Sequence, residues 1–389
     1  MLIAIDAHAI GRRLTGNEVY VRSLLNAFAG QNRDSEILAY VSGAEARVSI
    51  PARIRTRRVA ANPFLRLGFD LASRIRQDRP DVLHVQYTAP VGCSVPVVVT
   101  VHDVSYLEHP EYFTRDRAWQ LRLTVGRTVR RAAKILTGTE VARNSILKVY
   151  PDLDSDKVVV VPLAAAPEFR PVSREGATAA VRGRYAIGGP FILSVGDIQP
   201  RKNHIGLIRA FARLVRAYPQ LKHNLVLVGK PTWFSDKVRE AARESGVGER
   251  IQFLGFVSDA DLLQLYNSCD CFVFPSFYEG FGFPALEAMA CGQAVICSDA
   301  SALPEVVDGA SILFDPYAID EMVRAIADVL LDGELRARLQ RLGLRRAAHF
   351  SWQKTAEKTL EAFHQVAERP RRSTCRGSNR NAPILTSPY

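Results

Sequence analysis

The fold of this chain is decided by residues 271 to 297, CFVFPSFYEGFGFPALEAMACGQAVIC. The short apolar runs at the two ends of this stretch are typical of strands that are buried on both faces of a parallel sheet. Between them, Gly280 and Gly282 permit backbone conformations and close approaches that a β-carbon would block. Pro284 suits the first turn of a helix, where its missing N–H needs no partner. The stretch therefore predicts a strand, a loop, a helix and a second strand.

Two glutamates lie near the carboxyl end of the first predicted strand, Glu279 in the loop and Glu287 one turn into the helix. Open α/β sheets bind ligands at this end of their strands, and the free N–H groups of a helix N-terminus favour an anion. Two acids beside an anion site suit a ligand that carries hydroxyl groups as well as phosphates. A nucleotide sugar has both, so the stretch indicates a nucleotide-sugar site.

This pair of glutamates, with seven residues between them in a strand–loop–helix–strand block, resembles the E-x7-E motif of the family 4 retaining glycosyltransferases (glycosyl transferase group 1). The resemblance extends from residue 1 to about residue 368. It implies an α/β protein of the GT-B fold, with two doubly wound Rossmann-like domains facing a central cleft. Retention of the anomeric configuration is implied by the resemblance alone, because no residue identifies itself as a nucleophile.

The strand pattern and the resemblance together predict the domain organisation. Residues 1–170 form an N-terminal, acceptor-binding Rossmann-like domain, and residues 188–350 form a C-terminal, nucleotide-sugar-binding one, with a linker rich in Ser, Arg, Gly and Ala between them. The last helix, 351–368, is expected to pack back on the first domain. Residues 369–389 are basic and poor in apolar residues, which predicts a disordered tail.

Two positions in the first domain follow strand patterns and are candidates for the site. Gly16 lies in a turn before a helix and resembles the glycine turn that lies near the donor's terminal phosphate and sugar in the family; an ordinary helix cap is the alternative. His102 and Asp103 end the run PVVVTVHD at the carboxyl end of a strand, where an ionisable pair is seldom needed for packing. The resemblance implies that His102 hydrogen-bonds the donor sugar.

The loop VGDIQPRKN at the start of the second domain carries two adjacent cations, Arg201 and Lys202. Cations on a loop between a strand and a helix can stabilise a diphosphate as its charge develops. Lys202 resembles the donor-phosphate residue of the family. Asp197 departs from the family pattern, because many members place an arginine directly after the glycine, and Arg201 can substitute for it. We therefore assign catalytic roles to these two cations, to His102 and to Glu279.

The resemblance also implies roles for the other candidates. Glu287 binds the ribose hydroxyls, while Glu279 and the backbone N–H groups of residues 281–283 hold the transferred sugar. The backbone at 256–257 can meet the nucleotide base, and Glu305 resembles a recurrent position near the donor. The binding residues predicted in this way are Gly16, Phe256, Val257, Phe281, Gly282, Phe283, Glu287 and Glu305.

The charge of the chain is uneven: residues 1–184 carry a net +9, residues 185–368 a net −3 and the tail a net +5. A basic first half indicates an anionic partner, which can be a phospholipid surface, a phosphate-linked acceptor or nucleic acid. No nucleic-acid-binding motif accompanies it, so nucleic acid is not expected. The run RIRTRR (53–58) and the segment 62–76, with its Phe, Leu and Arg residues, predict a face that docks on an anionic membrane; a helix packed on its own sheet is the alternative.

Other patterns argue against a metal, a further cofactor or a membrane span. PDLDSD (151–156) is not a calcium loop, because Lys157 stands where a glycine is required. The acids of the D-x-D string at 259–261 lie in the first turn of a predicted helix, where the helix dipole favours them. The six cysteines form no CxxC pair and are expected to be reduced core residues. We expect a cytoplasmic protein that needs no metal, with peripheral contact with the inner membrane face left open.

These observations predict an enzyme that moves a hexose from a nucleotide-diphosphate sugar to a saccharide or lipid-linked glycan in the synthesis of a cell-surface polysaccharide. The loop VGDIQPRKN most resembles mannosyltransferase-like members, so GDP-mannose is the first expected donor and UDP-glucose or UDP-N-acetylglucosamine the second. Two alternatives remain open: a nucleotide-sugar 2-epimerase, which shares the two-domain fold, and a nucleotide-sugar-binding protein without turnover. An epimerase would change the donor without an acceptor.

Overall fold

The computed structural model describes residues 1–12, 15–31, 34–43 and 50–368, and the predicted basic tail lies outside these ranges. The described residues form two β-sheets in which every strand pair is parallel. Parallel strands need crossover connections, and helices supply most of them here. The predicted fold class, α/β with two doubly wound Rossmann-like domains, is confirmed.

The first sheet has seven strands in the order β3-β2-β1-β4-β5-β6-β7. Its strands are β1 (Leu2–Asp6), β2 (Glu36–Val41), β3 (Arg55–Arg58), β4 (Val82–Gln86), β5 (Val97–Thr100), β6 (Lys134–Thr137) and β7 (Val158–Val160). The helices that accompany it are α1 (Thr15–Gln31), α2 (Pro63–Leu65), α3 (Leu71–Asp78), α4 (Ser105–Glu108), α5 (Arg115–Arg131) and α6 (Glu140–Val149). A π-helical turn, Arg66–Asp70, joins α2 to α3.

The second sheet has six strands in the order β10-β9-β8-β11-β12-β13. Its strands are β8 (Phe191–Val195), β9 (Asn224–Val228), β10 (Ile251–Gly255), β11 (Cys271–Phe274), β12 (Val295–Ser298) and β13 (Ser311–Phe314). The helices after β7 are α7 (Arg174–Tyr185), α8 (His204–Ala217), α9 (Ser235–Glu244), α10 (Asp259–Ser268), α11 (Phe283–Ala290), α12 (Leu303–Val307), α13 (Ile319–Leu331), α14 (Gly333–Ala347) and α15 (Trp352–Ala367).

The central strands of the second sheet, β8, β9, β11 and β12, are buried on both faces. Ile192 and Leu193, neighbours on β8, are both fully buried but belong to different hydrophobic clusters. Successive side chains of a strand point to opposite faces, so the two clusters are the cores on the two sides of the sheet. The direction of strand order reverses between β8 and β11, and open α/β sheets bind ligands at such a switch point.

The last helix leaves the second domain and packs on the first. Trp352 and Phe363 of α15 are buried in the same cluster as Phe28 of α1, and the rings of Phe28 and Phe363 lie 6.2 Å apart. Thr355 donates a hydrogen bond of 2.7 Å from Oγ1 to the carbonyl of Pro162. Helix α15 therefore holds the end of the described chain against the first domain.

Two segments differ from their sequence-based interpretation. The segment predicted as a linker contains α7, which is capped by Ser173, packs on α10 and buries Ala177 and Val181. Ala177 and Val181 are four residues apart and therefore lie on one face of α7. The composition of the segment, rich in Ser, Arg, Gly and Ala, did not reveal this apolar face. The run RIRTRR includes the edge strand β3, where Arg55 and Arg57 pair with Glu36 and Asp78.

Candidate active site

The two domains enclose a cleft of about 1090 Å³ between the loops that follow their strands. All the predicted site residues except Glu305 line it: Gly16, His102, Arg201, Lys202, Phe256, Val257, Glu279, Phe281, Gly282, Phe283 and Glu287. The loop with the two cations follows β8. Glu279 lies in the loop that follows β11, and Glu287 lies in α11, the helix after that loop. These strands are neighbours at the switch point, and their loops therefore meet there.

At the centre of the second-domain wall, Glu279 bonds both loop cations. Lys202 Nζ lies 2.5 Å from Glu279 Oε1, and a terminal nitrogen of Arg201 lies 2.9 Å from Oε2. The same Arg201 nitrogen donates to the carbonyl of Tyr278 at 3.0 Å. Lys202 Nζ also lies 4.7 Å from the centroid of the Phe274 ring. We call Arg201, Lys202 and Glu279 the charged trio; its net charge is positive when all three are ionised.

Burial and ion pairing act in opposite directions on the charged trio. Burial opposes the ionisation of Glu279, but Arg201 and Lys202 outweigh it and lower the pKa of the carboxyl to about 2. Burial also lowers the pKa of Lys202, and Glu279 opposes that shift. Sequence reasoning assigned Glu279 to the transferred sugar and did not anticipate that it bonds the cations, because 77 residues separate it from Lys202.

Glycines allow the two domains to touch beside the charged trio. A β-carbon at Gly280 would lie 2.1 Å from the carbonyl oxygen of His102, so only glycine fits there. Gly282 adopts a φ of 98° at the start of α11 and has Leu303 against it, with 2.5 Å to an added β-carbon. Thr139 of the first domain donates from Oγ1 to the carbonyl of Gly280 at 3.0 Å. The loop of the E-x7-E motif is thus held against the first domain.

His102 is held in one tautomer by a residue that sequence reasoning missed. Gln86 donates from its amide nitrogen to the carbonyl of Asn17 at 3.1 Å, which turns its oxygen toward His102 Nε2 at 3.0 Å. That oxygen can only accept, so Nε2 carries the hydrogen and Nδ1 is the acceptor. Burial lowers the pKa of His102 to about 4 and keeps the ring neutral. The signal for Gln86 was a polar residue at the end of the buried strand β4.

Glu287 lies deep in α11 and has a different electrostatic environment from Glu279. The hydroxyl of Tyr266 donates to Glu287 Oε2 at 3.0 Å, and the carboxyl is 5 % exposed. Burial raises the pKa of Glu287 to about 8, because no cation lies close enough to offset it as Arg201 and Lys202 do for Glu279. A carboxyl that is mostly neutral at pH 7 can hydrogen-bond hydroxyl groups without repelling a nearby phosphate.

Glu305 is the predicted site residue that the structure places elsewhere. Its two carboxylate oxygens accept hydrogen bonds of 2.9 and 3.0 Å from the backbone N–H groups of Glu140 and Val141. These are free donors at the N-terminus of α6, where a negative charge is favoured. Glu305 therefore joins α12 to the first domain rather than lining the cleft, a contact that only the approach of the two domains creates.

A row of aromatic rings crosses the domain interface beside the cleft. The ring of Tyr112 stacks on His109 at 5.1 Å and faces Phe277 at 6.4 Å, and Phe277 stacks on Tyr317 at 4.7 Å. Tyr278 donates from its hydroxyl to Glu108 of the first domain at 2.9 Å. Sequence reasoning missed this row, since its members come from segments that are far apart in the chain.

The carboxylates of the D-x-D string are used in ion pairs. Asp259 lies 2.5 Å from Arg22 of the first domain, and Asp261 lies 3.1 Å from Arg184. In the part of the chain that the structure describes, no group of three or more His, Cys, Asp or Glu side chains is arranged to hold a metal ion. Within the same residues, no helix has the length and apolar content needed to cross a bilayer.

Such a cleft, with cations and glycines on the loops after the strands at the switch point, is typical of enzymes that act on nucleotide-linked substrates. Residues 14–169 match the family described as Glycosyltransferase Family 4, and residues 183–346 match Glycosyl transferases group 1. The chain is 33 % identical to O-antigen chain mannosyltransferase B of Escherichia coli, over 68 % of this chain and 69 % of that protein.

A second relative is the serotype-specific mannosyltransferase WbdA of Escherichia coli, which is 31 % identical over 74 % of this chain. The match spans 37 % of the length of WbdA. Among solved structures, that of Anabaena Alr3699/HepE in complex with UDP-glucose has the same fold, with a TM-score of 0.75 over 94 % of this chain and 99 % of that one at 18 % identity. The chain belongs to glycosyltransferase family 4 and has the GT-B fold. It is a glycosyltransferase, so the expected class of enzyme is confirmed.

Proposed function

We propose that this enzyme transfers a hexose, in the first place mannose from GDP-mannose, to a saccharide or lipid-linked glycan in the synthesis of a cell-surface polysaccharide. Two relatives that are more than 30 % identical are named mannosyltransferases, and one of them acts on an O-antigen chain by its name. UDP-glucose or UDP-N-acetylglucosamine is the second choice of donor. Retention of the anomeric configuration is part of the proposal and is inherited from family membership.

The observation that carries the proposal is the charged trio on the wall of the cleft. When the bond between sugar and diphosphate breaks, negative charge develops on the leaving phosphate oxygen. Arg201 and Lys202 are already desolvated and aligned by Glu279, so they need little reorganisation to stabilise that charge. Interactions that strengthen as the charge develops lower the barrier, whereas equal binding of substrate and transition state does not.

The remaining site residues fit the other parts of a nucleotide sugar. Neutral Glu287 is suited to the ribose hydroxyls, and the backbone at 256–257 to the base. On the first domain, Nδ1 of His102 can accept a hydrogen bond from a sugar hydroxyl, and Gly16 leaves room for the sugar and its phosphate. The backbone N–H groups of 281–283 at the start of α11 complete the sugar site, with Glu279 close to it.

No metal is required in this proposal. Buried Lys202, partly buried Arg201 and the N-terminus of a helix supply the positive charge that a divalent ion provides in other nucleotide-sugar sites. The nucleotide sugar is a substrate, and we propose no other small molecule as cofactor.

We further propose that the first domain touches an anionic membrane, on a smaller surface than the arginine run suggested. Arg55 and Arg57 are paired with acids and contribute little free charge. The side chains of Phe64, Leu65 and Phe69 are 77, 63 and 70 % exposed, and we call these three the apolar patch. Leu65 and Phe69 border a shallow hollow that is also lined by Arg58 and by Arg74, and Arg74 is ion-paired with Asp70. Apolar side chains beside a cation such as Arg58 suit the boundary between acyl chains and anionic headgroups.

A panel of donors tests the proposed function. The full chain is incubated with GDP-mannose, UDP-glucose and UDP-N-acetylglucosamine, and the rise in Tm and the release of nucleoside diphosphate are measured with and without a mannose-containing glycan acceptor. We expect the largest Tm rise with GDP-mannose and acceptor-dependent release of GDP. Binding of none of the three would contradict the donor assignment, and a donor that changes its sugar with no acceptor present would favour an epimerase.

A further inference from the structure

A second pair of cations lines the cleft on the first domain. Arg12 lies in the loop after β1, and Arg66 begins the π-helical turn between α2 and α3. Both side chains line the same cavity as Arg201 and Lys202. We call Arg12 and Arg66 the first-domain pair. Neither residue was singled out by the sequence, because the first half of the chain carries many other arginines.

Arg66 is buried without the partners that a buried guanidinium needs. It is 4 % exposed, and its Nε and one terminal nitrogen, Nη1, have no hydrogen-bond partner among the described residues. The carboxylate that pairs with it is that of Asp6, with 3.8 Å from Arg66 Nε to Asp6 Oδ2, which is too long for a hydrogen bond. Buried donors without acceptors are costly, so a site that keeps them is expected to receive an acceptor from a ligand.

The first-domain pair keeps positive charge on the cleft side, because Asp6, the carboxylate that pairs with Arg66, does not line the cleft. Asp6 lies behind the cleft wall and is shared with His8, whose Nδ1 is 3.1 Å from Asp6 Oδ1. Glu18 accepts a hydrogen bond from the backbone N–H of Gly11 and is not among the lining residues. Burial lowers the pKa of Arg66, Asp6 opposes this shift, and the charge of Arg12 adds to it. On the cleft side, this wall therefore presents two guanidinium groups that repel each other.

We propose that Arg12 and Arg66 form a subsite for a phosphate group of the acceptor. The inference rests on the proposed transferase function, in which Arg201 and Lys202 take the diphosphate of the donor. A second cation site in the same cleft then belongs to the other substrate. Guanidinium groups suit this role, since their planar donors match two oxygens of a phosphate at once. The acceptor is accordingly a phosphate-bearing glycan or sugar rather than a neutral saccharide.

The segment that carries Arg66 faces both the cleft and the outer surface. Pro63, Arg66 and Leu67 line the cleft, whereas the apolar patch of Phe64, Leu65 and Phe69 is exposed. An acceptor that is joined to a lipid through phosphate can place its phosphate on Arg66 and leave its lipid on the apolar patch. A free sugar phosphate offers the same group without the lipid. The chemistry of the subsite is shared by both, and the experiment separates them.

The test uses the full chain saturated with its nucleoside diphosphate, so that the donor cations are occupied. Inorganic phosphate is titrated at constant ionic strength, and the concentration that gives half of the Tm rise is measured. We expect this concentration to rise about tenfold or more in Arg66→Met and several-fold in Arg12→Met, because each loses charge-assisted hydrogen bonds to phosphate. Arg76→Met, an exposed arginine on the adjoining helix α3, is the matched control and should equal the wild type.

The two assignments can fail separately. If no nucleoside diphosphate binds, the proposed function fails before phosphate is added. If the diphosphate binds but phosphate affects the wild type and both first-domain variants alike, the subsite is refuted and the transferase assignment stands. Arg66→Met must still show the Tm rise caused by the nucleoside diphosphate, because that rise proves that the variant folds. If it does not, the phosphate titration of Arg12→Met, a change at an exposed residue, decides whether the subsite exists.

Vesicles identify the source of the phosphate. Flotation is compared for phosphatidylcholine vesicles that contain polyprenyl phosphate and for the same vesicles with phosphatidylglycerol. If Arg66 is needed for binding to the vesicles with polyprenyl phosphate but not to those with phosphatidylglycerol, the result supports a lipid-linked acceptor. Binding that ignores Arg66, together with Arg66-dependent stabilisation by glucose 1-phosphate, supports a soluble sugar phosphate.

Discussion

Replacing Glu279 by glutamine should lower the stability of the folded protein and raise its affinity for the nucleoside diphosphate. The substitution keeps the size of the side chain but removes the charge that holds Arg201 and Lys202 at 2.9 and 2.5 Å. Buried Lys202 and partly buried Arg201 are then left beside each other without a counter-charge, which is costly. The same two cations become free to bind a ligand, and the added diphosphate restores the lost charge.

The magnitude follows from the pKa of Glu279, which falls from an ordinary 4.5 to about 2 in the folded protein. The difference corresponds to about 3 kcal/mol of stability. Because the folded pKa is the lower one, this contribution is fully present above about pH 4.5 and is lost as the pH falls through about 2. Glu279→Gln should therefore be about 3 kcal/mol less stable than the wild type at pH 7, and the gap should narrow as the pH is lowered below about 4.5.

Two measurements check this reasoning. Urea unfolding of wild type and variant at several pH values gives the gap and its pH dependence, with Glu244→Gln, an exposed glutamate of α9, as the matched control. Titration with GDP and UDP gives the affinity for the nucleoside diphosphate, which should increase in the variant while sugar transfer falls. An unchanged diphosphate affinity combined with wild-type stability would mean that Glu279 does not hold the cations in solution, and the electrostatic account of the site would be wrong.

The other predictions concern the same cleft and the outer face of the first domain. Lys202→Ala should lower kcat most, since its charge matters more as the diphosphate leaves, whereas Glu287→Ala should mainly raise the KM for the donor; steady-state kinetics with wild-type values for Lys202→Ala would remove the phosphate assignment. Burial raises the folded pKa of Glu287 to about 8, so wild type should lose stability relative to Glu287→Gln as the pH rises from about 4.5 to about 8, which urea unfolding tests. Activity should persist in excess chelator; complete loss that only magnesium or manganese restores would contradict metal independence. Sedimentation with anionic vesicles should fall with salt and drop in Phe64→Ser and Phe69→Ser, and indifference to both changes would exclude the apolar patch as a membrane contact.

The sequence was sufficient for features that depend on short stretches. The block from 271 to 297 has two apolar runs, a glycine loop and a proline at a helix start, and each of these is a local requirement of backbone and burial. Because consecutive α/β units place their loops on one edge of the sheet, the position of Lys202 and Glu287 at a common cleft also followed. The strand patterns in both halves, together with the resemblance to the family 4 glycosyltransferases, predicted two doubly wound domains.

The sequence was insufficient where a contact depends on segments that are distant along the chain. Gln86 fixes the tautomer of His102 because its amide group is oriented by the backbone of Asn17, and no sequence motif marks the contact between Gln86 and Asn17. The contact of the Glu305 carboxylate with the start of α6 was not foreseen, because the partner is 165 residues away. Local pattern also misled at β3, where a run of arginines that pair with acids on neighbouring elements is an edge strand.

The sequence alone thus determined the sheet class, the loops at the switch point and the types of residue that they carry, because these follow from period, glycine and burial within about thirty residues. Only the tertiary structure decided which charges are neutralised. It paired Glu279 with two cations and left Arg66, 4 % exposed, with Asp6 at 3.8 Å. Electrostatic free energy depends on distance and desolvation in three dimensions, and neither quantity is encoded at any single position of the chain.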